Sequence, residues 1–136
     1  MEDPAARATR TVTRVASGAM VWRAWGAGPP LVLLHGASGS WTHWIRNVLP
    51  LAERFRVLAP DMPGYGESDA PPEPHTADRL ADLVTAGIDQ ILRRHRGKRI
   101  FLEARHRKRP KQRRRGGSLE RIRIRQSAGA KRQPHA

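Results

Sequence analysis

The sequence predicts an α/β fold with a partly parallel sheet, and three observations lead there. Short continuous apolar runs, Leu31–Leu34 and Phe55–Leu58, suit strands buried on both faces. Stretches of helical spacing alternate with them, and Gly- and Pro-rich turns separate the two kinds of segment. The pattern also has a limit. From Met1 to Leu92 the chain carries eight Arg, no Lys and ten Asp plus Glu, a net charge of −2. From Arg93 to Ala136 it carries eighteen Lys plus Arg against Glu103 and Glu120, a net charge of +16, which brings the 136-residue chain to +14. About two thirds of the chain therefore has globular composition, enough for one small domain with a marginal core.

Residues 1–10 read as a leader without fixed structure. Thr11–Ala16 and Met20–Trp25 are β-branched or aromatic runs separated by Ser17-Gly18, which predicts a hairpin. Gly26 to Pro30 is a turn, Leu31–Leu34 the first buried strand, and His35 to Ser40 a Gly/Ser turn. Trp41–Arg54 has helical spacing that Pro50 interrupts. Phe55–Leu58 is the second buried strand, followed by a compact loop over Asp61–Ser68 that the Pro-rich stretch 70–74 extends. From Thr76 the spacing is helical again. Leu80, Leu83, Val84, Ile88, Ile91 and Leu92 share a face, and Asp78 and Asp82 sit near the end where the helix dipole favours them. Beyond Leu92 only Ile100-Phe101-Leu102 and the pair Ile122, Ile124 are apolar enough to bury. Arg121–Arg125 alternates like a strand, with three arginines on its polar face.

Composition excludes several classes. The chain has no cysteine, so disulfides and thiolate metal sites are ruled out, which fits a reducing cytoplasm. Its apolar runs are far too short to span a bilayer, and the N-terminus has no apolar segment of signal-peptide type. The phosphate-loop pattern G-x-x-x-x-G-K-[ST] is absent. Abundant Ala, Arg, Gly and Pro point to a GC-rich, bacterial source.

Two motifs carry a family resemblance. His35-Gly36 directly follows a buried strand, with Trp41 and Trp44 after it. Asp61-x-x-Gly64-x-Gly66-x-Ser68 follows the next strand. Together, at this spacing, they resemble the N-terminal part of the α/β-hydrolases, in particular the group with epoxide hydrolases, haloalkane dehalogenases, carbon–carbon bond hydrolases and lactone or ester hydrolases. The resemblance covers about Val21 to Leu92. It implies that the Ala37 N–H is an oxyanion donor, with His35 and Gly36 bracing the turn. A preorganised N–H where negative charge develops is worth about 3 kcal/mol by typical mutational data. In the second motif Gly64 and Gly66 permit positive-φ turns, and Asp61 and Ser68 can bond the loop backbone, so Ser68 reads as a turn residue rather than a nucleophile. Trp41 and Trp44 either line an apolar substrate pocket or pack the core.

The rest of that family's machinery is missing. Its nucleophile elbow, G-x-S-x-G on a strand-to-helix turn, occurs nowhere in the chain. Gly36-Ala37-Ser38-Gly39-Ser40 has its second glycine one position too early. No catalytic nucleophile, acid or histidine is identifiable. His95, His106 and His135 lie in the basic segment. The expectation is thus an incomplete α/β-hydrolase sheet, with N-terminal strands and two helices over 11–92, followed by a disordered basic tail over 93–136. The parent activity would be hydrolysis of a small, largely apolar substrate, with no cofactor and no metal. The tail has three readings: non-specific binding to nucleic acid, attraction to an anionic lipid surface, or a shifted reading frame in a GC-rich gene. The third is favoured because the switch is abrupt.

Overall fold

Residues 2–16 and 18–104, with the backbone of Arg125–Gln126, are described by a computed structural model of the chain. The hairpin forms: β1 (Thr9–Val15) and β2 (Gly18–Trp25) pair antiparallel, with Thr9 opposite Ala24 and Val15 opposite Gly18. β3 (Pro30–Leu34) and β4 (Arg56–Pro60) are parallel, and β4 also pairs antiparallel with β2. β5 (Phe101–Ala104) lies parallel to β3 on its other side, and the two residues Arg125–Gln126 (β6) pair antiparallel with β5. The strand order is β1-β2-β4-β3-β5-β6.

Each face of the sheet carries its own cluster. Met20, Trp22 and Ala24 of β2 join Val15, Val32 and Leu58 on one face, under α3 (Ala77–Ile91), whose Val84 is buried and whose Leu80, Leu83, Ile88 and Ile91 pack alongside. Thr76 caps α3 by accepting the Arg79 N–H. The buried Trp22 indole N–H donates to Thr13 Oγ1 at 2.9 Å, so its only polar atom is satisfied. On the opposite face Trp25, Leu31, Leu33 and Val57 pack under a 3₁₀ turn (Trp41–Trp44) and α2 (Val48–Ala52).

Four expectations need correction. The leader is ordered over residues 2–10: Asp3 caps α1 (Pro4–Arg7) by accepting the Ala5 N–H, and the Trp25 indole donates to the Pro4 carbonyl at 2.8 Å. The interruption due to Pro50 falls before it, not at it. A helix running on from Trp41 would drive its ring into the Arg46 carbonyl, so the chain breaks at Ile45–Asn47. It restarts at Val48, which puts Pro50 in a first turn whose N–H groups have no intrahelical partner anyway. The second buried strand starts at Arg56, one residue late, and runs two further, to Pro60.

The fourth correction matters most for the site. The folded sheet does not stop at Leu92. Phe101–Ala104 belongs to it, with Leu31 opposite Phe101 and Leu34 opposite Ala104. Phe101 meets the Phe55 ring edge-on at 5.3 Å, and Leu102 packs into the cluster under α3. The expected disorder of the tail concerns residues that, beyond Ala104, lie outside the described ones apart from Arg125–Gln126.

Without β5, the β3 backbone has an open row of donors and acceptors flanked by apolar side chains, which is a template for aggregation. A chain stopped at Leu92 is accordingly expected to sediment as aggregates under conditions where the full chain stays soluble. A monomeric 1–92 chain with a cooperative thermal transition would contradict this.

Candidate active site

Parallel pairing of β3 and β4 sets their carboxyl ends side by side, and His35 and Asp61 are the first residues beyond each. His35 is 4% exposed. Its Nε2 lies 2.8 Å from the Met62 backbone N and accepts that N–H, so Nε2 carries no proton. Nδ1 then holds the proton and donates to the Gly36 carbonyl at 2.7 Å. The ring thereby bridges its own turn to the loop after β4. Its pKa is lowered from 6.5, chiefly by burial and in part by His43, against the raising effects of the Gly36 bond and Asp61. Protonation would place an Nε2–H against the Met62 N–H, and the neutral ring is the one that fits. Tyr65 and His43 meet this ring edge-on at 5.6 and 5.8 Å.

The turn that His35 braces is strained. Ser38 has φ +63°, a left-handed conformation costing about 1–3 kcal/mol outside glycine. A Cβ on Gly39 would fall 2.0 Å from His43 Cε1, so the imidazole occupies the space a side chain would need. Ser40 closes the segment by accepting the Thr42 N–H. Ala37 is exposed, and among the described residues nothing accepts its N–H. A fixed, unpartnered N–H at the carboxyl end of a central strand can receive a developing oxyanion without reorganisation.

Asp61 organises the second motif. It is 1% exposed. Oδ1 accepts the Trp41 N–H at 2.9 Å, and Oδ2 accepts the Glu67 N–H at 3.0 Å and a more distant Arg23 Nη1 at 3.4 Å. Gly66 has φ +51°, and a Cβ there would lie 2.4 Å from Asp61 Oδ2, so glycine is required by both backbone and space. Gly64 donates its N–H to the Asp69 carbonyl at 2.9 Å. The Ser68 hydroxyl accepts the Val21 N–H and donates to the Asp61 carbonyl at 2.6 Å. Occupied on both sides, it tethers the loop to β2.

Of the two readings of Trp41 and Trp44, core packing is the one the structure shows. They are 6% and 7% exposed and packed in the core with Trp25 and Val48, Trp25 and Trp41 lying 5.3 Å apart. A cavity of about 400 Å³ lies instead along the loop after β4, lined by Pro63, Tyr65, Pro71, His75 and Leu80. Tyr65 belongs both to this cavity and to the contact with His35. Among the described residues no cluster of His, Cys, Asp and Glu could hold a metal ion, and no helix is long and apolar enough to cross a membrane.

Sequence reading missed Arg23. Its guanidinium reaches Asp61, lies 3.0 Å from Glu67 Oε2 and stacks 5.3 Å over the Trp41 ring. Glu67 also pairs with Arg10 at 3.0 Å. Its pKa is lowered, first by the Arg10 hydrogen bond and then by the Arg23 charge. The signal was available: period-two alternation in β2 puts Arg23 on the face of Trp25, and a cation among inward apolar residues needs partners.

A profile described as alpha/beta hydrolase fold matches residues 29–102. The chain is 60% identical over 47 residues to a soluble epoxide hydrolase of Corynebacterium sp. (strain C12), covering 34% of this chain and 16% of that protein. It is 45% identical over 65 residues to a pimeloyl-acyl-carrier-protein methyl ester esterase of Vibrio campbellii (strain ATCC BAA-1116), covering 46% and 24%. The crystal structure of an epoxide hydrolase from Vigna radiata superposes with a TM-score of 0.65 at 28% identity, over 76% of this chain and 32% of that one. The chain thus spans a quarter or less of these two curated relatives and about a third of the solved structure.

Replacing Asp61 by Ala leaves the buried Trp41 N–H and the part-buried Glu67 N–H without an acceptor and Arg23 with Glu67 as its counter-ion, at an expected cost of about 2–4 kcal/mol. Adding Arg23→Met should recover part of that loss in denaturant titrations, and strictly additive costs would refute the coupling. The second expectation concerns pH. His35 and His95 both have folded values below 6.5. Between 6.5 and those values the unfolded chain binds protons that the fold does not, so stability is complete above about 6.5 and falls as pH drops. Glu67 adds its own loss only below its ordinary 4.5. The denaturation midpoint should therefore be lower at pH 5.5 than at pH 8, by a smaller margin in His35→Gln. Equal margins in the two proteins would remove His35 from the explanation.

Proposed function

Because the chain belongs to the α/β-hydrolase fold family, we propose that residues 18–104 are the oxyanion-binding part of a hydrolase acting on a small, largely apolar epoxide or ester. We further propose that the chain as it stands does not complete the reaction. The observation that carries this reading is the Ala37 N–H, without an acceptor among the described residues, on a turn held by neutral His35, with Leu34 in register with Ala104. That register means that a nucleophile one or two residues past β5 would emerge beside the turn. The small apolar substrate is supported by the similarity to epoxide hydrolases and by the apolar cavity next to Tyr65.

In sequence, β5 is followed by Arg105-His106-Arg107-Lys108, and neither G-x-S-x-G nor G-x-D-x-G occurs in the 136 residues. The family match over residues 29–102 favours a boundary beyond the charge switch at Arg93. We place a change of reading frame at about codons 103–105, where strand-forming residues give way to the clusters of Arg105–Arg115.

The test begins with the nucleotide sequence: one of the two other frames should encode an elbow motif shortly after codon 102. The frame-restored protein should hydrolyse epoxides or nitrophenyl esters, and Ala37→Pro, which deletes the donor N–H, should lower its kcat by about 10²–10³. The chain as given should show no enzyme-like turnover. Absence of a motif in both frames, or turnover by the given chain that is lost in Ser38→Ala or Ser68→Ala, would overturn the proposal.

A further inference from the structure

At the opposite end of the parallel strands from the His35 turn, a second cavity of about 430 Å³ lies between the sheet and the end of α3. Strand geometry says which side chains face it. Thr11 and Thr13 of β1 stand opposite Trp22 and Met20, and Arg56 lies two residues before Leu58, so all three project on the α3 face of the sheet. The end of α3 and the 3₁₀ turn after it (Leu92–His95) complete the wall with Gln90, Arg93 and His95. Gln90 bonds both backbone groups of Arg14, which fixes the spacing of the two walls. The lining is mostly polar, and among the described residues no Asp or Glu belongs to it.

The cations of this cavity are unpaired. Arg56 donates from Nη1 to the Gly26 carbonyl at 3.0 Å, a neutral acceptor. Among the described residues no carboxylate lies within ion-pair distance of Arg56, Arg93 or Lys98. Lys98 folds back towards the site, its backbone N–H donating to the His95 carbonyl at 3.1 Å. His95 Nδ1 is buried and has no hydrogen-bond partner among the described residues. Positive charge gathered in one recess without counter-charge draws in an anion. Nothing in the hydrolase reading uses these groups.

We propose that this cavity binds a small phosphomonoester with a hydroxylated body, its phosphate between Arg56, Arg93 and His95 and its body against Thr11. The phosphate follows from the guanidinium groups, whose planar forks match its oxygens and which stay charged at any working pH. The body follows from size and lining. The space exceeds what an inorganic oxyanion fills, and on its β1 side it offers the exposed Thr11 hydroxyl rather than an apolar stripe. The pKa of His95 agrees with the placement. It is lowered first by burial and then by the charges of Lys98 and Arg56, and an anion seated among them would counter those two charges.

The experiment is calorimetric titration of the full chain with glucose-6-phosphate at about 0.15 M salt, where screening beyond about 8 Å removes most diffuse attraction to the basic segment. One-to-one binding is expected, tighter by about tenfold or more than that of glucose, which lacks the charge, and of inorganic phosphate, which lacks the body. Arg93→Gln should weaken it by a similar factor with an unchanged thermal midpoint. Arg46→Gln removes the same charge from an exposed position between the 3₁₀ turn and α2, on the other side of the sheet, and should leave it unaltered. In the unaltered chain the His95 titration followed by NMR should move upward on saturation. Inorganic phosphate binding as tightly as the sugar phosphate, equal affinities in the two arginine variants, or a His95 titration that does not move would each overturn the site.

Discussion

A single buried carboxylate holds the loops at the carboxyl ends of β3 and β4 in shape. Asp61 has almost no contact with solvent, a position in which an ionised group is tolerated only when its lone pairs are used. They are: the Trp41 N–H, the Glu67 N–H and the Arg23 guanidinium converge on it from three segments of the chain. Those donors belong to the start of the 3₁₀ turn, the loop after β4, and β2. One side chain therefore fixes where the segment after the His35 turn begins, how its own loop closes, and where the loop sits against the hairpin. The arrangement also explains the neighbouring residue types. Gly66 is small because the carboxylate lies where its side chain would be, and Arg23 is tolerated on an inward face because the carboxylate is there.

His35 does the equivalent work one strand over, and the two are coupled. Each is the first residue past a parallel strand, and each bonds backbone belonging to the other's segment: His35 takes the Met62 N–H, Asp61 the Trp41 N–H. The crossed bonds lock the two strand ends against sliding. This is how a left-handed Ser38 persists, since strain of this size survives only where the surroundings over-determine the backbone.

The sequence was most readable where local chemistry decides structure. Leu31–Leu34 and the α3 face are set by burial pattern, and the two motif turns by glycine and by short polar side chains. It was least readable where a tertiary partner decides. The N-terminal residues look like an unstructured leader until the Trp25 indole is seen to take the Pro4 carbonyl. The alternation of β2 turns Arg23 inward, but that Asp61 and Trp41 lie beside it is not legible from the sequence. β5 was hidden for another reason. Four residues suffice for a strand that pairs in parallel with β3, and a signal that short is swamped by the basic residues around it. Charge marked a boundary at Arg93, whereas hydrogen bonding continues the sheet to Ala104.

The contact between Gly39 and the His43 ring makes the turn unequal in what it can tolerate. Any side chain at position 39 would push out the imidazole whose face or edge meets His35, whereas the Ala37 and Ser38 side chains point to solvent and displace nothing. Variation along this turn is thereby channelled into two adjacent positions. Their side chains can alter the size and polarity of the entrance to the N–H without disturbing the bonds that aim it. Substitution at the rim changes what the turn presents to solvent, while position 39 stays glycine for as long as an imidazole stands behind it.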